Sequence, residues 1–218
     1  RNYDLRAEWF ERPGEIWAVS GFYKKFSNPI ELQFFTSNYD VRPVNVDEAT
    51  VYGIELEVRK RLDQTISLLS NFQIGMNLTF VHSEVEIPET EFAEIQYYDS
   101  SAERTRQMYG QSPFVVNIDF GYANEKLGTS VSLVYNRFGD RFAVNSIGAT
   151  ADVYEKSREL FDIIASQRLG WGVSMKVSAK NLLDAKKSMR YRYKTQEPVY
   201  EEYSFGRTIS VGLSVQPW

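Results

Sequence analysis

The 218-residue sequence contains no cysteine, which excludes a disulfide-linked scaffold and any metal site built on thiolates. It also lacks a run of about 18 consecutive apolar residues, the length that a membrane-spanning helix requires. Neither sign of charge is in large excess, since 25 basic and 29 acidic side chains give a formal net charge of −4. This balance argues against nucleic-acid binding, because that function selects a strongly basic surface.

Residues for catalysis or metal binding are also scarce. The single histidine, His82, has Ser83, Glu84 and Glu86 near it on a predicted strand, and these do not complete a convincing ligand set. His82 continues the phase of Phe80, so we expect it at an outward-facing or loop-rim position. The sequence shows no Ser/His/Asp set, no phosphate-binding glycine loop and no paired-carboxylate pattern. We therefore expect no enzyme activity, no cofactor and no metal site.

Aromatic residues are abundant, with 14 Tyr, 14 Phe and 4 Trp in a chain whose mean hydropathy is −0.40. Through most of the chain, apolar and polar residues alternate with a period of two, which predicts strands with one apolar and one polar face. One such strand has Tyr52, Ile54, Leu56 and Val58 on the face opposite Glu55, Glu57 and Arg59. We count about nine strands, most of them longer than the ~5–6 residues usual in soluble sheets. Ile164 is an exception, because it falls on the polar phase.

Short and long connections between these strands alternate along the chain. The short ones lie at residues 13–14, 124–128 and 169–172, with one of intermediate length near 61–70. The long ones, rich in Asn, Asp, Glu, Ser and Tyr, lie at about 27–47, 87–112, 140–153 and 184–205. This order is typical of an up-and-down antiparallel sheet whose long loops all lie at one end, as in outer-membrane barrels.

Alternation alone does not separate a barrel in lipid from a soluble β-sandwich, since both use it. Strand length favours the barrel, because tilted strands of ~9–11 residues cross the apolar layer. Aromatic residues near the short turns, such as Trp9, Trp17 and Trp171, also fit the rings that flank that layer. We predict an all-β, transmembrane, antiparallel up-and-down β-barrel, and a soluble sandwich remains the alternative. Bacterial barrels have even strand numbers, so the odd count predicts one part of a larger barrel.

Several runs of residues, taken in order, cover essentially the whole chain. They are Asn2–Phe10, Gly14–Glu15, Val19–Phe26, Tyr52–Glu57, Gly110–Asn117, Tyr135–Arg141, Ser178–Asp184 and Gly206–Ser214. This ordered set resembles TonB-dependent outer-membrane receptors, especially those of Bacteroidetes. The resemblance implies a 22-stranded barrel closed by an N-terminal plug domain, which takes up scarce ligands with energy from the inner membrane.

The resemblance assigns residues 1–218 to the C-terminal part of that barrel, with the plug domain outside this chain. The implied partners are outer-membrane lipid, the receptor's own plug and a TonB-type energising protein that binds the N-terminal part, while the presence of a surface lipoprotein lid stays open. The implied location is the cell outer membrane. Trp218 lies one residue out of phase with Val211, Leu213 and Val215, so it matches the family's in-phase terminal aromatic imperfectly. A passive porin-type channel and an outer-membrane enzyme or adhesin barrel remain alternatives.

Candidate ligand-binding residues lie in or beside the long connections. Aromatic rings there can stack on sugars, siderophores or peptides, and arginines near the mouth can bind an anionic ligand. The candidates are Phe34, Phe35, Tyr39, Tyr97, Tyr98, Arg137, Arg141, Tyr191 and Tyr193. The alternative is that the rings pack among the loops and that the arginines form salt bridges at the loop base. Iron chelates, haem, cobalamin, glycans and peptides all stay open as ligands.

A second set of candidates lies on the polar phase of the predicted strands, where the resemblance implies contact with the plug. These residues are Asn77, Asn117, Asp119, Asn136, Lys176 and Lys180. The connection at 87–112 also contains clustered charges, namely Glu89, Glu91, Glu94, Arg104 and Arg106. We interpret that cluster as part of a solvated loop in preference to a ligand site.

Overall fold

A computed structural model of the chain describes residues 1–35, 40–63, 69–146 and 149–216. In chain order the elements are β1 (Asn2–Trp9), β2 (Ile16–Ser27), β3 (Ile30–Phe35), β4 (Asp40–Asn45), β5 (Glu48–Arg61), β6 (Phe72–Glu86), α1 (Glu89–Tyr98), β7 (Thr105–Arg106), β8 (Phe114–Asn124), β9 (Thr129–Phe138), β10 (Arg141–Ser146), β11 (Val153–Glu155), β12 (Arg158–Gly170), β13 (Val173–Lys180), β14 (Lys186–Tyr191), β15 (Val199–Ser204) and β16 (Thr208–Val215). The fold is all-β apart from α1. Within these ranges, no helix has the length and apolar character needed to cross a membrane.

Nine long strands form one antiparallel sheet in the order β1-β2-β5-β6-β8-β9-β12-β13-β16, and the short β7 pairs with β6. We call this the wall sheet. Each strand pairs with the next long strand along the chain, so the predicted up-and-down order and the predicted number of strands are confirmed. Over the described residues, β1 pairs only with β2 and β16 only with β13. The wall is therefore an open part of a barrel.

The connections lie as the sequence predicts, with short turns at one end of the wall sheet and long loops at the other. The turn end includes two sharp reversals in which the backbone enters the left-handed region. Gly14 has a φ of 85° between β1 and β2, and Trp171 and Gly172 have φ values of 50° and 72° between β12 and β13. Left-handed conformations let the two-residue turn at Trp171 and Gly172 match the strand twist, whereas Gly14 lies in the longer connection between Trp9 and Ile16.

Cross-strand register separates the two faces of the wall sheet. On the apolar face, Leu78 lies opposite both Leu56 and Val116. On the polar face, Ile164 lies opposite Ser132 and Ser178, which confirms its predicted phase. The apolar face is uncovered by protein: Leu5 is 80% exposed, and the residues of β16 are exposed throughout.

The long loops carry secondary structure that the sequence patterns do not indicate. A second sheet, in the order β15-β14-β11-β10-β3-β4, is built from three of the four loops. We call it the loop sheet. Among its described strands, the one parallel pairing joins β3 of the first loop to β10 of the third. Since period-two alternation is brief and irregular in these short strands, the patterns do not predict them.

The chain passes from wall sheet to loop sheet through a defined bend at the end of β2. Asn28 adopts a left-handed φ of 52°, a conformation that asparagine tolerates better than most residues. Its N–H donates to the Asp47 carbonyl at 2.9 Å, and the Val46 N–H donates to the Pro29 carbonyl at 3.0 Å. A buried apolar cluster of Val46, Ala49 and Val85 lies directly beside this bend. Apolar packing therefore lies at the loop end, where the candidate site is found.

Candidate functional site

A pocket of about 510 Å³ opens among the loops. Its walls come from the last turn of α1, the end of β10, residues 149–152, β11 and residues 192–196 after β14. Its volume falls within the range of about 300–1,000 Å³ that is usual for small-molecule sites. Three of the four long loops thus contribute to one concave surface, which we call the loop pocket.

Tyrosine rings form much of the loop pocket. Tyr98, at the end of α1, is 62% exposed, and Tyr193 is 36% exposed. Tyr154 lines the pocket from β11, and the Arg192 guanidinium lies 3.5 Å from its ring centroid. Tyr191 stacks behind Tyr193 with ring centroids 6.2 Å apart. These rings give the pocket broad flat surfaces at fixed positions.

The cations of the loop pocket are paired with carboxylates. Lys194 donates to Asp99 at 2.7 Å, and this hydrogen bond, together with those from the hydroxyl and backbone N–H of Ser101, lowers the pKa of Asp99 to about 2. Arg192 contacts Asp140 at 2.9 Å. Burial opposes the ionisation of Asp140, yet the hydrogen bonds from Lys156 and the Ser157 N–H, with the charges of Lys156 and Arg192, together keep the pKa of Asp140 below its ordinary value.

Asp152 is the exception among the pocket carboxylates. Burial raises its pKa to about 6, although its side chain accepts a hydrogen bond from the Ser146 N–H at 2.9 Å. The neighbouring carboxylates Glu91 and Glu31 raise this pKa further, while Arg106 opposes the effect. The pKa of Asp152 is therefore raised, whereas those of the paired carboxylates Asp99 and Asp140 are lowered.

Beneath the pocket, a buried ion cluster joins the first two loops. Arg106, on β7, donates to Glu31, on β3, at 2.6 Å and 3.1 Å, and also to Glu91, on α1. These side chains are nearly inaccessible, with relative exposures of 9%, 0% and 8% for Arg106, Glu31 and Glu91. Burial raises the pKa of Glu31 despite the nearby guanidinium. The cluster holds α1 against the loop sheet, so it positions one wall of the pocket.

This cluster corrects the sequence-based interpretation of the 87–112 connection. Its charges are not simply a solvated loop, because Glu91 and Arg106 are buried and paired. Arg104 does match that interpretation, since it is half exposed and pairs with Glu86 and Glu89 at the surface. The sequence patterns do not identify Glu31 as a member of this cluster, because it lies 75 residues from Arg106 along the chain.

The predicted ligand-binding tyrosines divide into two groups. The structure brings Tyr98 and Tyr193 together in the loop pocket, and the Tyr191 ring lies next to that of Tyr193. Tyr97 is 83% exposed and contacts the Tyr98 ring edge-on at 5.0 Å, but it does not line the pocket. Tyr39 lies outside the described residues.

The other predicted ligand-binding residues do not line the loop pocket. Phe34 and Phe35 lie on β3, where Arg42 covers the Phe35 ring at 5.7 Å. Arg141 pairs with Glu155 at 2.9 Å and lies over a neighbouring ring. Arg137 pairs with Glu159 at 3.0 Å and shares the apolar face of the wall sheet with Val116 and Tyr135. Salt bridges at the loop base, the alternative raised above, therefore do occur at both arginines.

The predicted plug-facing residues lie together on the polar face of the wall sheet. Asn77, Asn117 and Asn136 form a row across β6, β8 and β9, in which the Asn136 amide donates to Asn117. Asp119 lies flat over Gly75, where a Cβ atom would come within 2.0 Å of the Asp119 Oδ1 atom. This close approach accounts for glycine at that position.

Lys176 and Lys180 differ from this row because both are exposed on the polar face of β13. Among the described residues, neither lysine forms a salt bridge. They therefore present two uncompensated positive charges on this part of the wall sheet.

The family model described as TonB dependent receptor-like, beta-barrel matches residues 1–182. No curated protein matches the sequence significantly. Solved structures with a similar fold include the ferric yersiniabactin uptake receptor from Yersinia pestis, with a TM-score of 0.66 at 14% identity, covering 98% of this chain and 29% of that one. A copper transporter has a TM-score of 0.60 at 13% identity, covering 97% and 30%. The pyoverdine outer membrane receptor from Pseudomonas aeruginosa PAO1 has a TM-score of 0.58 at 11% identity, covering 97% and 29%. The chain thus spans under a third of the structures it matches.

Proposed function

Because the chain belongs to the TonB-dependent receptor β-barrel family, we propose that it forms the C-terminal part of an outer-membrane receptor for energy-coupled uptake of a scarce ligand. In this proposal the nine wall strands are part of a 22-stranded barrel, and residues 1–218 supply barrel wall and ligand-gating loops. The observation that carries it is the two-faced wall sheet, which has an exposed apolar face, a polar face and all its long loops at one end.

The apolar face is assigned to lipid and the polar face to the barrel lumen. A soluble protein rarely leaves so large an apolar surface uncovered, whereas a barrel places it against acyl chains. Trp9 and Trp17 lie at the turn end of this face, and Lys60 lies over the Trp17 ring at 5.9 Å. Tryptophan and lysine together favour the interface between lipid and water. The short turns are therefore assigned to the periplasm and the loops to the cell exterior.

The polar face is proposed to contact the plug domain. The asparagine row offers amide groups that can hydrogen-bond a neighbouring backbone, and Asp119 adds a carboxylate. Lys176 and Lys180 are exposed and lack carboxylate partners within the described part of the chain, so we expect acidic residues of the plug to face β13. The TonB-type protein is assigned to the receptor's N-terminal part, and a surface lipoprotein lid would cover the loops.

The test uses the full-length receptor, because the wall sheet alone has open edges that are costly in lipid. Purified receptor is inserted into a planar lipid bilayer and its conductance is recorded. A plugged receptor is expected to show no steady open conductance. A stable open conductance would contradict the proposal and favour the passive porin-type channel.

Energy coupling is tested separately in cells. Uptake of labelled ferric enterobactin, haem, cyanocobalamin and maltoheptaose is compared in strains with and without the TonB-type protein. We expect uptake of one of these probes to require both the receptor and that protein. Receptor-dependent uptake that persists without the TonB-type protein would refute the proposal.

A further inference from the structure

We infer that the loop pocket binds a neutral, hydroxyl-rich ligand of the oligosaccharide class. This inference rests on the proposed function in one respect, since it takes the loop pocket as the receptor's outer recognition site. The inference is based on tyrosine rings that line the pocket beside charged groups, whose positive and negative charges balance.

The charge balance of the loop pocket disfavours an anionic ligand. Its two cations, Arg192 and Lys194, are paired with Asp140 and Asp99, and the pocket also contains Asp152. An anion would therefore have to displace a carboxylate from each cation, and it would find no net positive charge in the pocket. The residues outside the described ranges carry no charged side chains, so they do not alter this balance.

The rings offer the surface that a sugar requires. One face of a pyranose ring consists of C–H groups, and these pack on the electron-rich face of an aromatic ring. Tyr98 and Tyr193 are accessible for such stacking. Tyr154 already has Arg192 over its ring, which orients both groups in the pocket wall.

Polar groups at the pocket are suited to hydroxyls. Thr150, Thr195 and Gln196 contribute uncharged donors and acceptors to the pocket wall. Hydroxyl and amide groups can both donate to and accept from the hydroxyls of a sugar.

The experiment applies the purified full-length receptor in detergent to an array of neutral, sulfated and sialylated glycans, with ferric enterobactin and an oligolysine peptide as charged probes. We expect binding to neutral glycans in preference to all the charged probes. Tyr98→Ala should weaken binding to the best glycan at least tenfold, because it removes a stacking surface. Tyr97→Ala is the matched control, since that ring is adjacent but outside the pocket, and we expect a change of less than twofold.

Binding restricted to charged probes, or no glycan binding at all, would overturn the inference. Equal losses for Tyr97→Ala and Tyr98→Ala would overturn it as well, because they would indicate a surface outside the pocket. Thermal unfolding of each variant checks that the loops are intact. The two proposals fail separately: glycan binding that depends on Tyr98, with uptake that does not need the TonB-type protein, would retain this inference and refute energy coupling.

Discussion

The buried ion cluster gives the sharpest test of how the loops are held together. We consider Arg106→Met, which keeps a long apolar side chain but removes the guanidinium. The variant leaves Glu31 and Glu91 buried without their shared cation. Removing one partner of a buried ion pair costs about 3–5 kcal/mol, because an uncompensated charge stays in the interior. We expect a loss of this size in the free energy that holds α1 and β3 closed at about pH 7.

The loss should shrink as the pH falls. Burial already raises the pKa of Glu31 in the wild type, and removing Arg106 takes away the attraction that opposes this rise. A carboxyl whose pKa is raised on folding binds its proton more readily in the folded state. Such a carboxyl therefore stabilises the folded state fully below its unfolded-state pKa. This stabilisation is lost as the pH rises through its folded-state pKa. The variant should approach the wild type on acidification.

The measurement is hydrogen–deuterium exchange of the α1 and β3 amides in the full-length receptor. Local opening is the right quantity, because the cluster joins α1 and β3, whereas the long wall strands pair with one another. Arg104→Met is the matched control: Arg104 pairs with Glu89 at 2.8 Å but is half exposed, so we expect about 1 kcal/mol or less. Equal effects of the two substitutions, or a loss that does not change with pH, would refute the reasoning.

Three further predictions concern the wall sheet and the pocket. Leu133→Arg should lower the free energy of unfolding in lipid vesicles by about 2–4 kcal/mol, and Ser132→Arg on the polar face by clearly less; equal losses in urea titrations would contradict the facing assignment. Gly75→Ala should cost about 1 kcal/mol in the same titrations, and adding Asp119→Ala should remove the penalty, since a Cβ would meet that carboxylate. Lowering the pH from about 7 to 5 should stabilise the closed state of β11, measured by hydrogen–deuterium exchange, by about 1 kcal/mol, because the pKa of Asp152 is raised to about 6. Asp152→Asn should abolish this gain. A pH response that is the same in this variant as in the wild type would refute the prediction.

The wall sheet could be predicted from the sequence because its information is local. A period of two places Leu56 and Glu57 on opposite faces whatever their distant neighbours are, and the structure pairs them with Leu78 and Asn77 accordingly. The order of short and long connections likewise follows from composition between strands. Even Ile164, an apolar residue on the polar face, is placed correctly by counting.

The loop pocket could not be predicted in this way. Tyr97 and Tyr98 are identical neighbours in the sequence, yet only Tyr98 lines the pocket. The difference arises from the end of α1 and from residues 192–196, which lie almost a hundred residues away. Contacts of this kind, such as Lys194 with Asp99 or Arg106 with Glu31, depend on how separate loops cross, and no local periodicity encodes that.

The wall sheet, which local patterns predict, and the loop end, which depends on distant contacts, are also stabilised in different ways. The wall strands expose their apolar face, with Leu213 69% exposed, so contacts within this chain do little to stabilise that face. The loop end instead contains buried apolar residues, including Phe142 and Val85, together with the ion cluster around Arg106. Its geometry is therefore set mainly by contacts within this chain. If the loop pocket is the recognition site proposed above, its tyrosines would keep their positions while a plug domain moves against the polar face of the wall sheet, as energy-coupled uptake would need.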